Sequence, residues 1–231
     1  MSSGSLTTFD LRSRIVDERG PGSGVTILMA PMGTPLENVT SGEARAEATR
    51  ADHGPTILTV GHGAGPAEDF IARLEQAGVR RLVDIRTAPG SRRHPQFGRE
   101  ALAHSLQQHG IEYDWRKDLG GWRKPRPGSP HVALRSAPFR GYADHMQTPE
   151  FTAELRWLID SSRGITTAIM CAESVWWRCH RRMVADALLV RGCTVEHLLP
   201  EGRRQPHALH PSARVVGHEI VYDRTDSAAG S

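Results

Sequence analysis

The spacing of apolar residues predicts that short strands and amphipathic helices alternate along most of the chain. Aliphatic and β-branched runs indicate buried strands, and apolar residues that recur every three or four positions indicate helices. The predicted strands are Thr56–Val60, Arg81–Ile85, Ile111–Trp115, the run from Ile165 to Met170, and Cys193–Leu199. The predicted helices are a segment that begins at Pro66, then Arg99–Gln108, Phe139–Gln147, Pro149–Ser161, and a segment whose first turn holds Cys179 and which ends at Gly192. This order predicts the α/β class: a single three-layer domain with a mainly parallel sheet of four or five strands and helices on both faces.

Apolar patterning is concentrated in residues 54–224, which we predict to form this domain. Residues 1–53 are rich in Ser, Gly, Thr, Pro and charged residues, so we predict a disordered leader, because so little apolar surface does not offset chain entropy. Its one apolar island leaves open an added strand at Val25–Leu28. We also predict an edge strand within Arg214–Tyr222 and a flexible tail at 225–231.

Reactive side chains are concentrated in the predicted strand, turn and helix of Ile165–Gly192. Cys171 and Glu173 follow the strand, and Cys179, His180 and Arg181 are expected in the first turn of the helix. Ligands of parallel α/β sheets bind beyond the carboxyl ends of the strands, and helix N-termini attract anions and favour thiolates. We therefore predict that Cys171, Glu173 and His180 are catalytic and that Arg181 binds an anion.

Two alternatives for this segment stay open. Cys171 and Cys179 could be inert buried residues, since a cysteine often behaves as a small apolar side chain. Trp176 and Trp177 could pack against the core, or one of them could stack on a base or sugar. A phosphatase-like loop is disfavoured, because six residues separate Cys171 from Arg178 and two of them are tryptophans where small residues are needed.

The other predicted strand ends supply the remaining candidate substrate-binding residues. Asp84 and Arg86 share one face at the end of a strand, where they form either an ion pair or an anion site. The loop that follows is rich in Arg, Pro and Gly and is expected to surround the anion. The full predicted substrate-binding set is His62, Asp84, Arg86, Ser91, Arg93, His94, Phe97, Gly120, Gly121, Tyr142 and Arg181.

Composition limits the classes of protein that fit. The chain has 231 residues, a formal net charge of +3 and three cysteines, with a pI near 9.0. Few cysteines, no export signal and no apolar run of membrane-spanning length predict a cytoplasmic protein that does not bind membranes. The small positive charge permits an anionic ligand, and the basic segment Arg116–Arg140, with its interleaved aromatic residues, leaves nucleic acid open as a partner. The oligomeric state is not predicted.

A metal site is a further alternative. Cys171, Cys179, His180 and His62 could converge on one ion, with His94 as another ligand. The spacing of the two cysteines is unlike that of structural zinc sites, which favour short Cys-Cys pairs. The sequence therefore requires no cofactor or metal.

Five short motifs follow one another along the chain. They are Thr59-Val60-Gly61-His62, Asp84-Ile85-Arg86 with Pro89, Ser91 to Phe97, Leu119-Gly120-Gly121, and Cys171-Ala172-Glu173 followed by Cys179-His180-Arg181. Their order resembles the family of the domain of unknown function DUF488. The resemblance extends from about Thr56 to Asp223 and implies the fold more than an activity.

The leading hypothesis is an enzyme that acts on an anionic, nucleotide- or nucleobase-like substrate, with a Cys/Glu/Arg site at the carboxyl edge of the sheet. The first alternative is a non-catalytic module that binds nucleic acid or a partner protein. The second is a metal or haem protein.

Overall fold

The computed structural model describes residues 54–90 and 92–224. The predicted leader at 1–53, the strand at Val25–Leu28, the tail at 225–231 and the side chain of Ser91 lie outside the described residues. The strands are β1 Thr56–Gly61, β2 Arg81–Asp84, β3 Glu112–Trp115, β4 Thr167–Cys171, β5 Thr194–Leu198, β6 Arg204–Pro206, β7 Ala213–Val216 and β8 Glu219–Tyr222. The helices are α1 Ala67–Gln76, α2 Arg99–Gln108, α3 Ala137–His145, α4 Pro149–Ser161 and α5 Arg181–Val190. Short 3-10 turns span Pro95–Phe97, Lys117–Leu119 and Trp176–Arg178.

The main sheet has the strand order β3-β2-β4-β1-β5-β6. Its first five strands are parallel, as the alternation of strands and helices predicts, and β6 pairs antiparallel with β5. The edge strand expected within Arg214–Tyr222 does not join this sheet, because β7 and β8 pair with each other as a separate hairpin. Arg204, Gln205 and Pro206 of β6 are exposed, so this strand leaves no apolar pattern in the sequence.

Helices cover both faces of the sheet and bury two apolar layers. On one face, Leu58 and Val60 pack with Phe70 of α1 and Leu102 of α2. On the other, Ile57 packs in a cluster with apolar residues of α3, α4 and α5. Successive residues of β1 thus serve opposite layers, which explains why the strand is apolar throughout. Each fully buried aliphatic or aromatic side chain contributes about 2 kcal/mol to folding.

The sequence around Thr148 and Pro149 sets the start of helix α4. The Thr148 hydroxyl accepts a hydrogen bond from the Phe151 N–H at 3.3 Å, and Pro149 occupies the first position of α4. Leu155 and Leu158 then turn inward and are fully buried. The helix therefore spans the predicted residues Pro149–Ser161.

Strand β4 lies between β1 and β2, and this position builds the carboxyl edge of the sheet. Cys171 is in register with Gly61, and Met170 with Asp84. The His62 N–H donates to the Cys171 carbonyl at 3.1 Å, which carries the pairing past the end of β1. The residues that follow β1 and β2 therefore lie on either side of Cys171. Within residues 54–90 and 92–224, no helix combines the length and apolar character that crossing a bilayer requires.

Candidate active site

A cavity of about 680 Å³ opens at the carboxyl edge, where β1, β2 and β4 end. This volume is within the usual range for small-molecule sites. Of the residues predicted from the sequence, the cavity is lined by His62, Arg86, His94, Gly121, Tyr142, Cys171, Glu173, Cys179 and His180. Residues far apart along the chain therefore surround one space.

Cys171, Cys179 and His180 form a compact cluster at this cavity, which we call the thiol–imidazole cluster. Cys171 is the last residue of β4, Cys179 follows the 3-10 turn, and His180 immediately precedes α5. His180 Nδ1 lies 3.6 Å from Cys179 Sγ and 3.9 Å from Cys171 Sγ. One donor atom from each residue lies within 4.8 Å of the other two. Three potential electron-pair donors therefore lie close together at the cavity.

The orientation of the His180 ring is set by its second nitrogen. Nε2 lies 3.0 Å from the Ile85 carbonyl, which can only accept, so Nε2 carries the proton. In the neutral ring, Nδ1 then presents its lone pair to the two sulfur atoms. Gly121 packs against this ring, since a Cβ at that position would lie 2.9 Å from Nδ1. The Tyr142 ring meets the imidazole edge-on, with centroids 5.1 Å apart.

The two thiols of the cluster have opposite tendencies to ionise. The hydrogen bond from Cys179 lowers the pKa of Cys171 well below that of a normal thiol, against the effect of burial, and His180 and the Glu173 N–H add to this. The bond to Cys171, together with burial, raises the pKa of Cys179 well above normal. When one of the two thiols loses its proton, the negative charge therefore lies on Cys171. Burial raises the pKa of the distant Cys193 to about 11, which makes that thiol a useful contrast.

Arg86 presents a guanidinium to the cavity from a fixed position. Nε and Nη2 donate to the Asp84 carboxylate at distances between 2.6 and 3.0 Å, and Nη1 lies 3.2 Å from His62 Nε2. Tyr113 donates its hydroxyl to the same carboxylate at 2.7 Å. Burial opposes the charged guanidinium, but Asp84 outweighs it and raises the pKa of Arg86. The ion pair and the anion-site interpretations of these residues are thus compatible.

His62 is neutral in this arrangement. Its Nδ1 donates to the Gly63 carbonyl at 2.7 Å, which leaves Nε2 to accept from Arg86. Burial lowers the pKa of His62 to about 4. The ring stacks on Phe97 with centroids 4.1 Å apart. His62 therefore holds Arg86 in place and is absent from the group of potential metal donors among the described residues.

Glu173 lies in the turn between β4 and α5. Its carboxylate accepts from the Val175 N–H at 3.0 Å and lines the cavity from an exposed position. The Glu173 carbonyl lies directly over Gly61, where a Cβ would approach it to 2.1 Å. The close packing of this turn on β1 explains the glycine at the end of that strand.

Arg181 differs from its predicted role. Helix α5 begins at Arg181, so Cys179 and His180 precede the helix and the Arg181 side chain turns away from the cavity. Arg181 is 1% exposed, and its guanidinium donates to the carbonyls of Val60 and Ser174. Arg181 therefore ties the end of β1 to the turn after β4, and we leave it out of the ligand-binding set.

The remaining predicted residues support the cavity or lie outside it. Asp84 and Phe97 are fully buried behind Arg86 and His62. Gly120 packs on Thr87, and Arg93 is exposed without lining the cavity. Tyr142 lines the cavity with its ring, while its hydroxyl donates to the Leu119 carbonyl at 2.7 Å.

Several cavity residues were absent from the sequence-based site set, among them Trp122, Phe139 and Arg178. Trp122 is 94% exposed and has a φ of 62°, the only positive φ among the described non-glycine residues. Such a conformation costs about 1 kcal/mol or more and is often found at functional sites. The pair Gly120-Gly121 before an aromatic residue was the available signal, but a sequence does not show which side of a loop faces a cavity.

Comparisons with known proteins identify the family. The model of a family described as "Domain of unknown function DUF488" matches residues 66–188, which is more than half of the chain. This range includes every motif of the predicted resemblance except Thr59 to His62. Searches of curated proteins and of solved structures found no match.

Proposed function

We propose that this chain, which belongs to the DUF488 family, is an enzyme that acts on an anionic, nucleotide- or nucleobase-like substrate. The thiol–imidazole cluster is its reactive centre, and Arg86 is its main anion-binding residue. The observation that carries the proposal is that Cys171, Cys179, His180 and Arg86 line the same cavity.

Arg86 is suited to hold a substrate oxyanion. Asp84 takes its Nε–H and one Nη2–H, and His62 takes one Nη1–H. This leaves one N–H on each terminal nitrogen without a partner among the described residues, so both terminal nitrogens can still donate to a phosphate or carboxylate. Because Asp84 and His62 already fix the side chain, little rotamer freedom is lost on binding.

Aromatic side chains in the cavity lining favour a planar ring in the substrate. Trp122, Phe139 and Tyr142 all line the cavity, and the Trp122 side chain is almost fully exposed. Arg178 adds a second positive charge to the lining. A base that stacks on an aromatic residue while its phosphate binds arginine satisfies both features.

The alternative of a nucleic-acid-binding module has weaker support. Several arginines of the basic segment are engaged within the chain: Arg116 stacks on Trp157 and pairs with Glu154, and Arg126 pairs with Asp144. Arg140 donates to the carbonyls of Leu134 and Arg135. These contacts reduce the positive surface that would release counterions on binding a nucleic acid.

Substrate conversion by the purified full chain tests the proposal. We would incubate it with a panel of nucleobases, nucleosides and nucleotides and follow each compound by mass spectrometry. We expect at least one to be consumed by the wild type and by Cys193→Ser, and none by Cys171→Ser. Equal conversion by Cys171→Ser, or no conversion of any compound, would contradict the proposed enzyme.

Binding of adenosine monophosphate, measured by calorimetry, tests the role of Arg86 separately. Arg86→Lys keeps the charge but loses the planar pair of donors, so we expect affinity to fall about tenfold. Arg163→Lys, at an exposed arginine near the end of α4, is the matched control and should bind as the wild type does. Unchanged affinity in Arg86→Lys would remove Arg86 from the site.

A further inference from the structure

We infer that Cys171, Cys179 and His180 bind one zinc ion whose fourth coordination position faces the cavity. This inference rests on the proposed function, because it concerns the same reactive centre, and it adds the identity of a cofactor. It is carried by the positions of the three donor atoms.

The distances from His180 Nδ1 to the two sulfur atoms fit a tetrahedral ion. Zinc bonds of about 2.3 Å to sulfur and about 2.0 Å to nitrogen, at a tetrahedral angle, place sulfur and nitrogen about 3.5 Å apart. The two observed separations from His180 Nδ1 are 3.6 Å and 3.9 Å. An ion could therefore contact all three donors with only small side-chain shifts.

The surroundings also prepare the donors for a metal. His180 donates Nε2–H to the Ile85 carbonyl at 3.0 Å, which directs the free lone pair of Nδ1 at the sulfur atoms. Metal-binding histidines usually make such a second contact, because it fixes the tautomer and the ring orientation. The Arg181 N–H lies 3.5 Å from Cys179 Sγ and donates to it. Both contacts are made with backbone groups, the Ile85 carbonyl and the Arg181 N–H.

Charge gives a reason for the ion. Cys171 is 9% exposed and Cys179 5% exposed, and two thiolates at such buried positions would repel each other. A divalent cation would neutralise both. Thiolate and imidazole donors favour zinc over magnesium or calcium, which prefer oxygen ligands.

Three protein donors and one open position are typical of a catalytic zinc site, whereas structural sites have four protein ligands. All three residues of the cluster line the cavity, so a water molecule or a substrate atom can reach the fourth position. Zinc at such a position acidifies bound water or polarises a carbonyl or phosphoryl oxygen. In this arrangement Cys171 is a ligand, and the residues around the cavity, above all Arg86, orient the substrate.

Metal analysis of the full chain, purified without chelators, tests the inference directly. We expect inductively coupled plasma mass spectrometry to find one zinc ion per chain. After removal of zinc, titration with cobalt(II) should give one equivalent bound, with thiolate-to-cobalt charge-transfer absorption and the visible bands of a tetrahedral site. A folded chain that takes up no cobalt, or that binds it without charge-transfer absorption, would overturn the inference.

Variants locate the ion within the cluster. Cys171→Ser and Cys179→Ser should each lower cobalt affinity at least about 100-fold, and Gly121→Ala, which crowds His180, about tenfold. Cys193→Ser, at a buried cysteine outside the cluster, should bind as the wild type does. Circular dichroism would establish that each variant is folded. Wild-type affinity in Cys171→Ser would overturn the site.

The metal inference and the proposed function can fail separately. If no metal binds while Cys171→Ser still abolishes substrate conversion, the zinc inference is overturned and the enzyme stands. If one zinc binds at the cluster but no compound of the panel is converted, the zinc inference is supported and the proposed function fails.

Discussion

Arg86 shows how a single residue can be both structural and available to a ligand. Its partner Asp84 is fully buried, and the carboxylate also accepts from Tyr113 and from the Arg86 backbone N–H. The Arg86 guanidinium supplies the positive charge that offsets this buried carboxylate. The same contacts aim the remaining donors of Arg86 at the cavity.

Removing only the arginine should therefore destabilise the fold. We expect Arg86→Met to lower the free energy of unfolding by about 3 kcal/mol, because Asp84 becomes an unpaired buried charge. The double variant Asp84→Asn/Arg86→Met should recover a large part of this loss, since neither charge remains. Urea denaturation measures both values. A double variant as unstable as the sum of the two single variants would contradict this account.

The sequence indicated which strand ends meet at one edge of the sheet better than it indicated which side chains reach the cavity. Cys171, His180 and Arg86 line one cavity, because Cys171 ends β4, Arg86 lies just beyond β2 and His180 immediately precedes α5 at the same edge of the sheet. Arg181 lies one position beyond His180, but its side chain points the other way and binds backbone carbonyls. The direction of a side chain depends on where the helix begins, and that boundary is uncertain in a sequence by a residue or two.

At the scale of elements, the cavity depends on how the β4–α5 turn lies on the end of β1. Gly61 contacts the Glu173 carbonyl so closely that any Cβ there would clash with backbone. The Arg181 guanidinium also donates hydrogen bonds to the carbonyls of Val60 in β1 and Ser174 in the turn. The position of Cys171 and Glu173 therefore depends on a backbone contact as well as on side chains.

Gly61→Ala tests this contact. Because the clash involves backbone on both sides, we expect a loss of about 2 kcal/mol in unfolding free energy. Gly65→Ala is the matched control: a Cβ at Gly65 meets nothing within 4 Å, so that variant should be near neutral. Equal stability of the two variants in urea denaturation would show that the turn adapts without cost.

Elements with a buried apolar face could be predicted, and elements without one could not. Helices α2 and α4 match their predicted residues, because each presents an apolar stripe. Strand β6 is polar and exposed, and it forms only because β5 offers a free edge. The β7–β8 hairpin carries a strand-like pattern, but a pattern does not say which strand it will pair with.

At the scale of the whole molecule, a buried polar chain joins the sheet to the later elements. The Thr59 hydroxyl lies 2.7 Å from His197 Nδ1, His197 Nε2 lies 3.0 Å from His207 Nδ1, and His207 Nε2 lies 2.9 Å from Asp186. Trp176 stacks on His197 with centroids 3.8 Å apart. Since Asp186 can only accept, the protons align in one direction and both rings can be neutral.

Because of these buried histidines, we expect the stability of the fold to decrease in acid. Burial lowers the pKa of His197 from 6.5 to about 3, so between these values the unfolded chain binds a proton that the folded chain does not. Stability is therefore complete above about pH 6.5 and should fall as the pH is lowered, by at most about 1.4 kcal/mol per pH unit for this group.

Urea denaturation at about pH 7, 6 and 5 measures the slope. His197→Asn removes one titrating group and should reduce the slope by up to about 1.4 kcal/mol per pH unit, leaving the contribution of His62, whose pKa burial also lowers. His104→Asn, at an exposed histidine of α2, should leave the slope unchanged. A wild-type slope that persists in His197→Asn would assign the acid sensitivity to other groups.

The most direct test of the reactive centre is the pH dependence of alkylation in chelator-treated protein, followed residue by residue with mass spectrometry. Cys179, His180 and the Glu173 N–H lower the pKa of Cys171, so we predict that iodoacetamide labels Cys171 with a midpoint well below the normal thiol value of about 8.5. Cys193, whose pKa is raised to about 11 by burial, should react only at much higher pH. A Cys171 midpoint at or above about 8.5 would contradict an activated thiol in this cavity.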